Sequence, residues 1–147
     1  MERKDIKNRH AHIYRLRDLF GLEEMDRIEL HPQGFDPDRA LTPEATVVIA
    51  NTRDLYIGIH LAMGEDSKIY CGTDIAEREG GGGFWPNREG GPRGGQTVRE
   101  SMGIFLRECL GNYSRYADPT GRIKRVAAET LRRLDSCAVR QMTIDML

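Results

Sequence analysis

Residues 46–72 read TVVIANTRDLYIGIHLAMGEDSKIYCG, and this stretch decides the fold. Its first part is rich in β-branched side chains, and apolar residues then occupy every second position from 55 to 61, the period-2 pattern of a β-strand. Turn-forming residues at 51–54 and 64–67 separate three such segments. Because short connections join neighbouring strands in opposite directions, the stretch predicts an antiparallel β-meander over 46–72.

The segment before the meander predicts a helix and a connector. Apolar residues recur near helical spacing through residues 2–20, and Gly21 is well placed to end this N-terminal helix. A short strand is expected around 27–30. The stretch that follows, up to Pro43, contains prolines, glycine and aspartate, which favour irregular turns at the surface.

After the meander the sequence predicts C-terminal helices within residues 97–140. Apolar stripes run to Gly111 in the first of them and continue beyond Asp118, a suitable N-cap, in the second. A chain of 147 residues is long enough for one hydrophobic core. We therefore predict a single domain over 1–147 of the α+β class: a small antiparallel β-meander with an N-terminal helix and two C-terminal helices packed on it.

The composition is typical of a globular protein. Hydrophobic residues make up 39% and charged residues 31% of the chain, which argues against wholesale disorder. A net charge of −1 provides no excess positive charge to hold a polyanion, so nucleic acid is an unfavoured partner. The longest apolar stretches are strand-sized, so we expect no membrane association and a cytoplasmic location, in the host cytoplasm if the protein is viral.

A glycine-rich loop over 80–95 is the most unusual feature of the sequence. Eight of the sixteen glycines fall in it, and glycine lets a ligand approach backbone N–H groups without a Cβ in the way. The loop leads to a helix start at Thr97, where N–H groups and the positive dipole end attract anions such as phosphate. Arginines can pair with phosphate oxygens, and aromatic rings can stack on a base. The expected ligand-binding residues are Phe84, Trp85, Asn87, Arg88, Arg93, Gly94, Gly95, Thr97 and Arg99.

The sequence has no catalytic or metal-binding signature. The loop matches neither GxxxxGK[ST] nor the strand-linked GxGxxG pattern, so nucleotide hydrolysis and dinucleotide binding are unsupported. Cysteines and histidines do not occur at ligand spacing, so we expect no metal and no cofactor. His60 shares a predicted strand face with Tyr56 and is interpreted as a surface histidine. We expect a non-enzymatic protein without catalytic residues.

The layout of a small sheet, a glycine-bearing loop and arginine-bearing helices resembles the phage anti-Thoeris proteins of the Tad family, which are sponges for immune nucleotide signals. The stretches that carry the resemblance are TVVIANTRDLYIGIHL and GGPRGGQTVRE. It implies a non-enzymatic homo-oligomer that sequesters cyclic nucleotides or cyclic ADP-ribose isomers between subunits. The ligand residues named above rest on the loop itself and not on this resemblance.

We therefore expect the protein to bind a small phosphorylated nucleotide, with cyclic nucleotides included, through the glycine-rich loop and the helix start that follows it. One alternative is a viral or plasmid-borne interaction protein that uses the same loop to occlude a macromolecular partner. A second alternative is nucleic-acid binding through arginines of the last helix, although acidic residues interleave with them and favour a solvated face. A flexible surface loop, with Phe84 and Trp85 packed back on the sheet, also remains open.

Overall fold

The computed structural model describes residues 22, 25, 27–30, 43–64, 66–78, 80–113 and 118–146, the last of these with side chains through residue 136. The helix predicted for residues 2–20 and most of the connector before Pro43 lie outside the described residues. Within the described part of the chain, no helix is long and apolar enough to cross a membrane.

The described residues form a five-stranded antiparallel sheet. Its strands follow one another in chain order as β1 (Arg27–Leu30), β2 (Ala45–Asn51), β3 (Leu55–Met63), β4 (Ile69–Glu77) and β5 (Gly80–Phe84). The predicted α+β class is confirmed, and the meander extends beyond 46–72 on both sides. β1 lies where the sequence predicts a short strand, whereas β5 lies inside the segment predicted as a loop.

The strand β5 corrects the prediction of an uninterrupted loop over 80–95. Successive glycines disfavour a strand on their own, but consecutive pairs with β4 hold them extended. A Cβ on Gly81 or Gly83 would overlap the carbonyl oxygen of Ile75 or Thr73. Glycine therefore allows β5 to lie close against β4, and pairing within the sheet overrides the low intrinsic propensity.

Two helices of the described part of the chain cover one face of the sheet. Helix α1 spans Val98–Glu108 and is followed by a 3₁₀ turn at Leu110–Asn112, and α2 spans Arg122–Met146. Alternate residues of the central strands meet the apolar stripes of both helices in a single core. This core includes Val47, Ile57, Ile59, Leu61, Ile69 and Cys71 from the sheet, and Val98, Met102, Phe105, Leu106, Leu110, Ile123 and Ala127 from the helical segments.

Asp118 prepares the start of α2 from outside the helix. Its buried carboxylate accepts hydrogen bonds from the backbone N–H groups of Ile123 and Lys124, both at 3.2 Å. The helix itself begins only at Arg122, after Gly121 has turned the chain with a φ of 71°. Asp118 thus satisfies first-turn N–H groups, as an N-cap does, but the helix begins further downstream than the sequence predicts.

Candidate ligand-binding cleft

A concave cleft lies where the end of β5, the loop after it and the end of α1 meet. Its volume is about 540 Å³, within the range of roughly 300–1,000 Å³ that small-molecule sites occupy. Phe84, Trp85 and Asn87, all predicted as ligand residues, line this cleft together. The other lining residues are Gly90, Gly91, Pro92, Glu108 and Cys109.

Phe84 and Trp85 are the aromatic residues among those that line the cleft. The Phe84 ring lies toward α1, with its centroid 6.2 Å from that of Phe105, and the Trp85 ring lies 5.1 Å from that of His60. Phe84 is 39% and Trp85 36% exposed, which makes them the exposed large apolar side chains of the described chain. Each ring is therefore partly packed against the protein and partly exposed, so that a ligand can contact it.

Gly72 of β4 allows the segment Phe84–Pro86 to reach the sheet. A Cβ at Gly72 would lie 2.6 Å from both the backbone nitrogen of Pro86 and the carbonyl carbon of Trp85, and it would overlap the carbonyl oxygen of Phe84. The backbone of this segment thus passes directly over Gly72, an approach that only glycine permits. As a result, the Trp85 ring lies against His60.

His60 lies against Trp85 and connects three strands. Its Nδ1 is 2.8 Å from Thr46 Oγ1, and its Nε2 is 3.0 Å from Asp74 Oδ2. His60 is only 6% exposed, so its interpretation as a surface histidine is wrong. The order of hydroxyl, imidazole and carboxylate is that of a catalytic triad, but Thr46 is 1% exposed and offers a substrate no access. We interpret this group as a support for Trp85.

An ion pair joins the loop to the end of α1 at the rim of the cleft. Arg93 donates to Glu108 through Nη2, 3.0 Å from Oε1, and through Nε, 3.2 Å from both carboxylate oxygens. These hydrogen bonds lower the pKa of the Glu108 carboxyl. Because both side chains are largely exposed, the pair contributes little to stability. A competing anion can therefore open this contact at small cost.

Cys109 brings a thiol to the cleft beside Glu108. The side chain is half-buried, and this burial raises the pKa of the thiol. At neutral pH the thiol is thus protonated, whereas the thiolate is the nucleophilic form. Cys109 consequently contributes a small apolar surface and not a reactive group.

Two side chains of the protein accept backbone hydrogen bonds at the start of α1, where the sequence predicts an anion site. Thr97 Oγ1 accepts a hydrogen bond from the backbone of Glu100 at 3.1 Å, and Glu100 Oε2 accepts one from the backbone of Gln96 at 3.2 Å. This arrangement is a variant of the capping box, because Glu100 reaches the N–H of Gln96 and not that of the N-cap Thr97. A ligand phosphate at Thr97 would have to displace the Glu100 carboxylate.

The glycines before Thr97 return the loop to the sheet. Gly95 forms an antiparallel bridge with Ile69 of β4 through hydrogen bonds of 2.8 and 3.1 Å, and its N–H also lies 3.1 Å from Ser101 Oγ. A Cβ on Gly94 would lie 3.0 Å from the Tyr70 ring. Gly94 and Gly95 thus anchor the end of the loop and lie outside the cleft lining.

The two remaining predicted arginines also lie outside the cleft lining. Arg88 Nε is 3.6 Å from Asp66 Oδ2, and Asp66 also accepts a hydrogen bond from the Tyr70 hydroxyl, which lowers the pKa of the Asp66 carboxyl. Arg99 has a buried Nε and Nη2 that form no hydrogen bond with any described residue. Of the predicted arginines, Arg93 is the one placed at the rim, through its contact with Glu108.

Glu108 and Cys109 are cleft residues that sequence reasoning missed. Helical periodicity in the sequence places Cys109 on the buried face of the predicted helix, and it gives Glu108 no particular role. Arg93 and Glu108 are 15 positions apart, and they meet because Gly95 bridges the loop end to β4. A contact of this kind has no local sequence signal.

Among the described residues, no group of three or more His, Cys, Asp or Glu side chains is arranged to hold a metal ion. No protein-family model, curated protein or solved structure matches this chain. Its function must therefore be inferred from the chemistry of its own cleft.

Proposed function

We propose that this protein binds a phosphorylated nucleotide, including cyclic forms, without changing it chemically. The observation that carries the proposal is a cleft of about 540 Å³ in which Phe84 and Trp85 are partly exposed. Stacking on aromatic side chains stabilises a base by about 1–3 kcal/mol, so these rings suit a flat heterocycle. Bound nucleotide would then be withheld from other proteins in the cytoplasm. This is the sequestering role that the resemblance to the anti-Thoeris proteins implies.

Polar groups in the cleft can orient the base. Asn87 Oδ1 accepts a hydrogen bond from the backbone of Glu89 at 2.8 Å, while its Nδ2 forms none with the described residues and can donate to a ring nitrogen or carbonyl. The Glu108 carboxylate can accept from an exocyclic amine. Asn87 and Glu108 line the same cleft as Phe84 and Trp85.

The phosphate is best placed at the rim, beside Arg93. A phosphate deep in the cleft would face the Glu108 carboxylate, whereas at the rim it can compete with that carboxylate for the Arg93 guanidinium. The phosphate would thus lie at Arg93 and not at the start of α1, where Glu100 already accepts from the backbone. Only binding is proposed, because the raised pKa of Cys109 disfavours its nucleophilic form.

A ligand panel tests this function directly. Trp85 is the sole tryptophan, so its fluorescence reports on the cleft during titration with 5′-mononucleotides, cyclic nucleotides, the matching nucleosides and inorganic phosphate. We expect nucleotides to change the emission and to stabilise the fold, by about 2.7 kcal/mol when the ligand exceeds its Kd about 100-fold. Nucleosides should bind more weakly, because they lack the partner for Arg93.

Matched variants separate the cleft from the rest of the surface. Arg93→Gln should weaken binding of nucleotides more than of nucleosides, whereas Arg132→Gln, an exposed arginine on α2, should leave both unchanged. If no nucleotide affects either Trp85 emission or the melting temperature, the proposal fails.

The exposure of Phe84 and Trp85 also supports a second candidate, in which the same surface covers a macromolecular partner. Large exposed apolar side chains are enriched at protein interfaces. In that case Trp85→Ala and Arg93→Ala should abolish capture of the partner, and added nucleotides should have no effect on it.

A further inference from the structure

The strand β5 leaves one edge of the sheet open. Among the described strands it pairs with β4 alone, and all its residues from Gly80 to Phe84 are exposed. Natural edge strands are commonly protected from further pairing by proline, charged side chains or a bulge. The sequence GGGGF contains neither proline nor charge, and its register with β4 has no shift.

The backbone polar groups of Gly81 and Gly83 face this open edge. The carbonyl oxygens of Ile75 and Thr73 lie where a Cβ on these two glycines would be. β4 therefore forms its backbone hydrogen bonds with the residues opposite Ile75 and Thr73, which are Gly82 and Phe84. Successive residues of an antiparallel strand alternate in the side toward which N–H and C=O point. Gly81 and Gly83 therefore offer their own groups outward, as a template for another strand.

We propose that β5 pairs in antiparallel fashion with β5 of a second copy of this chain, about a two-fold axis at Gly82. In this register Gly81 lies opposite Gly83 of the partner subunit, and each such pair exchanges both N–H···O bonds. Gly80 lies opposite Phe84 of the partner subunit, on the same face of the extended sheet. A Cβ on Gly80 would meet nothing within 4 Å, so this position has room for the partner's ring.

A second copy suits this edge because the two ends of β5 are complementary. The strand has an aromatic ring at Phe84 and bare backbone at Gly80, and the two-fold axis brings each ring over a glycine. Coverage of edge glycines by aromatic rings is a known means of stabilising sheets. No charged side chain lies within β5, so pairing brings no like charges together inside the strand.

The dimer should be weak and in exchange with the monomer. A pair of short strands buries much less than the ~1,200 Å² at the lower end of stable interfaces. Dimerisation goes beyond the proposed function, because it depends on the β5 edge and requires no nucleotide. It also affects the cleft, since the partner's Gly80 would cover part of Phe84, which lines that site.

Sedimentation velocity of the ligand-free full chain, from micromolar to millimolar concentration, tests the proposal. The protein should pass from monomer to dimer over this range. Gly82→Lys is the test variant, because a Cβ at Gly82 meets nothing within 4 Å and the fold can accept it. The variant places two ammonium groups together at the axis, so it should dimerise several-fold more weakly.

Two control variants match this substitution. Gly82→Ala removes the same glycine without adding charge, and Gly90→Lys adds the same charge at another open position outside β5. Both should dimerise as the unchanged chain does, with thermal melts confirming that all variants fold. A chain that is monomeric throughout, or a dimer that Gly82→Lys leaves unaffected, would overturn the proposal. A monomer that instead binds an extended synthetic peptide along β5 would also overturn it, because the edge would then serve a different partner.

Discussion

Replacing Gly72 by alanine should move the segment Phe84–Pro86 away from the sheet. The added Cβ would overlap the carbonyl oxygen of Phe84 and lie 2.6 Å from two further backbone atoms of this segment. Because an unstrained contact needs about 3.5 Å, the backbone must shift by at least about 0.9 Å. Overpacking of this kind lowers the free energy of unfolding by about 1–3 kcal/mol. For a chain of this length, that loss lowers the Tm by about 2–12 °C.

The fluorescence of Trp85 provides a second readout that is specific to the segment. Because Trp85 is the sole tryptophan, its emission reports only on this part of the chain. A shift of the backbone separates the ring from His60, now 5.1 Å away, and exposes it further to water. We expect the emission of Gly72→Ala to move to longer wavelength, and nucleotide binding to weaken in parallel.

Gly82→Ala is the matched control for Gly72→Ala. It makes the same change in the neighbouring strand, at a position where a Cβ meets nothing within 4 Å. Its stability should remain equal or rise by about 0.4–1 kcal/mol, because alanine has fewer unfolded conformations than glycine. If Gly72→Ala has the emission and the Tm of the unchanged chain, Gly72 does not position Trp85 and the reasoning is refuted.

Other contacts give further predictions. Glu108→Gln should tighten nucleotide binding by releasing Arg93, with little change in Tm because the ion pair is exposed; weaker binding of nucleotides with unchanged binding of nucleosides would argue against a phosphate at this rim. The folded pKa of Glu108 lies below its unfolded value, so its stabilising contribution is complete above the unfolded pKa and is lost as the pH falls through the folded pKa. Carboxyl titration followed by NMR should show this depressed pKa. Asp118→Ala should lower the free energy of unfolding by about 0.5–2 kcal/mol, measured in urea, because two helix N–H groups lose their acceptor. Alkylation of Cys109 in the native protein should be slower than in the unfolded chain, because burial raises its pKa, and peptide mapping by mass spectrometry can compare the two rates.

The central strands could be predicted from the sequence because their signal is local. Alternating apolar residues between turn-forming segments define β2, β3 and β4, since one face of each strand must enter the core. The strand β5 could not be predicted in this way. Its glycines give no alternation and disfavour a strand, and among the described strands only β4 pairs with them and holds them extended.

The candidate site was predictable in its aromatic part and not in its charged part. Phe84 and Trp85 are large apolar residues in a glycine-rich segment, and this contrast is visible in the sequence. The pairing of Arg93 with Glu108 depends on how the loop returns to the sheet, which no local pattern encodes. Thr97 caps a helix as the sequence predicts, but the sequence does not reveal that the Glu100 carboxylate accepts a hydrogen bond from the backbone N–H of Gln96.

The loop between β5 and α1 leaves and rejoins the same edge of β4. Phe84 pairs with Thr73, and Gly95 returns to Ile69 on that strand. Because both anchors belong to the sheet, the number of residues between them can change without altering the core, and a doubling of such a loop costs only about 0.6 kcal/mol of closure entropy. Insertions around Gly90 and Gly91 would reshape one wall of the cleft while the scaffold stayed the same. This architecture would let ligand preference diverge between related chains much faster than the fold.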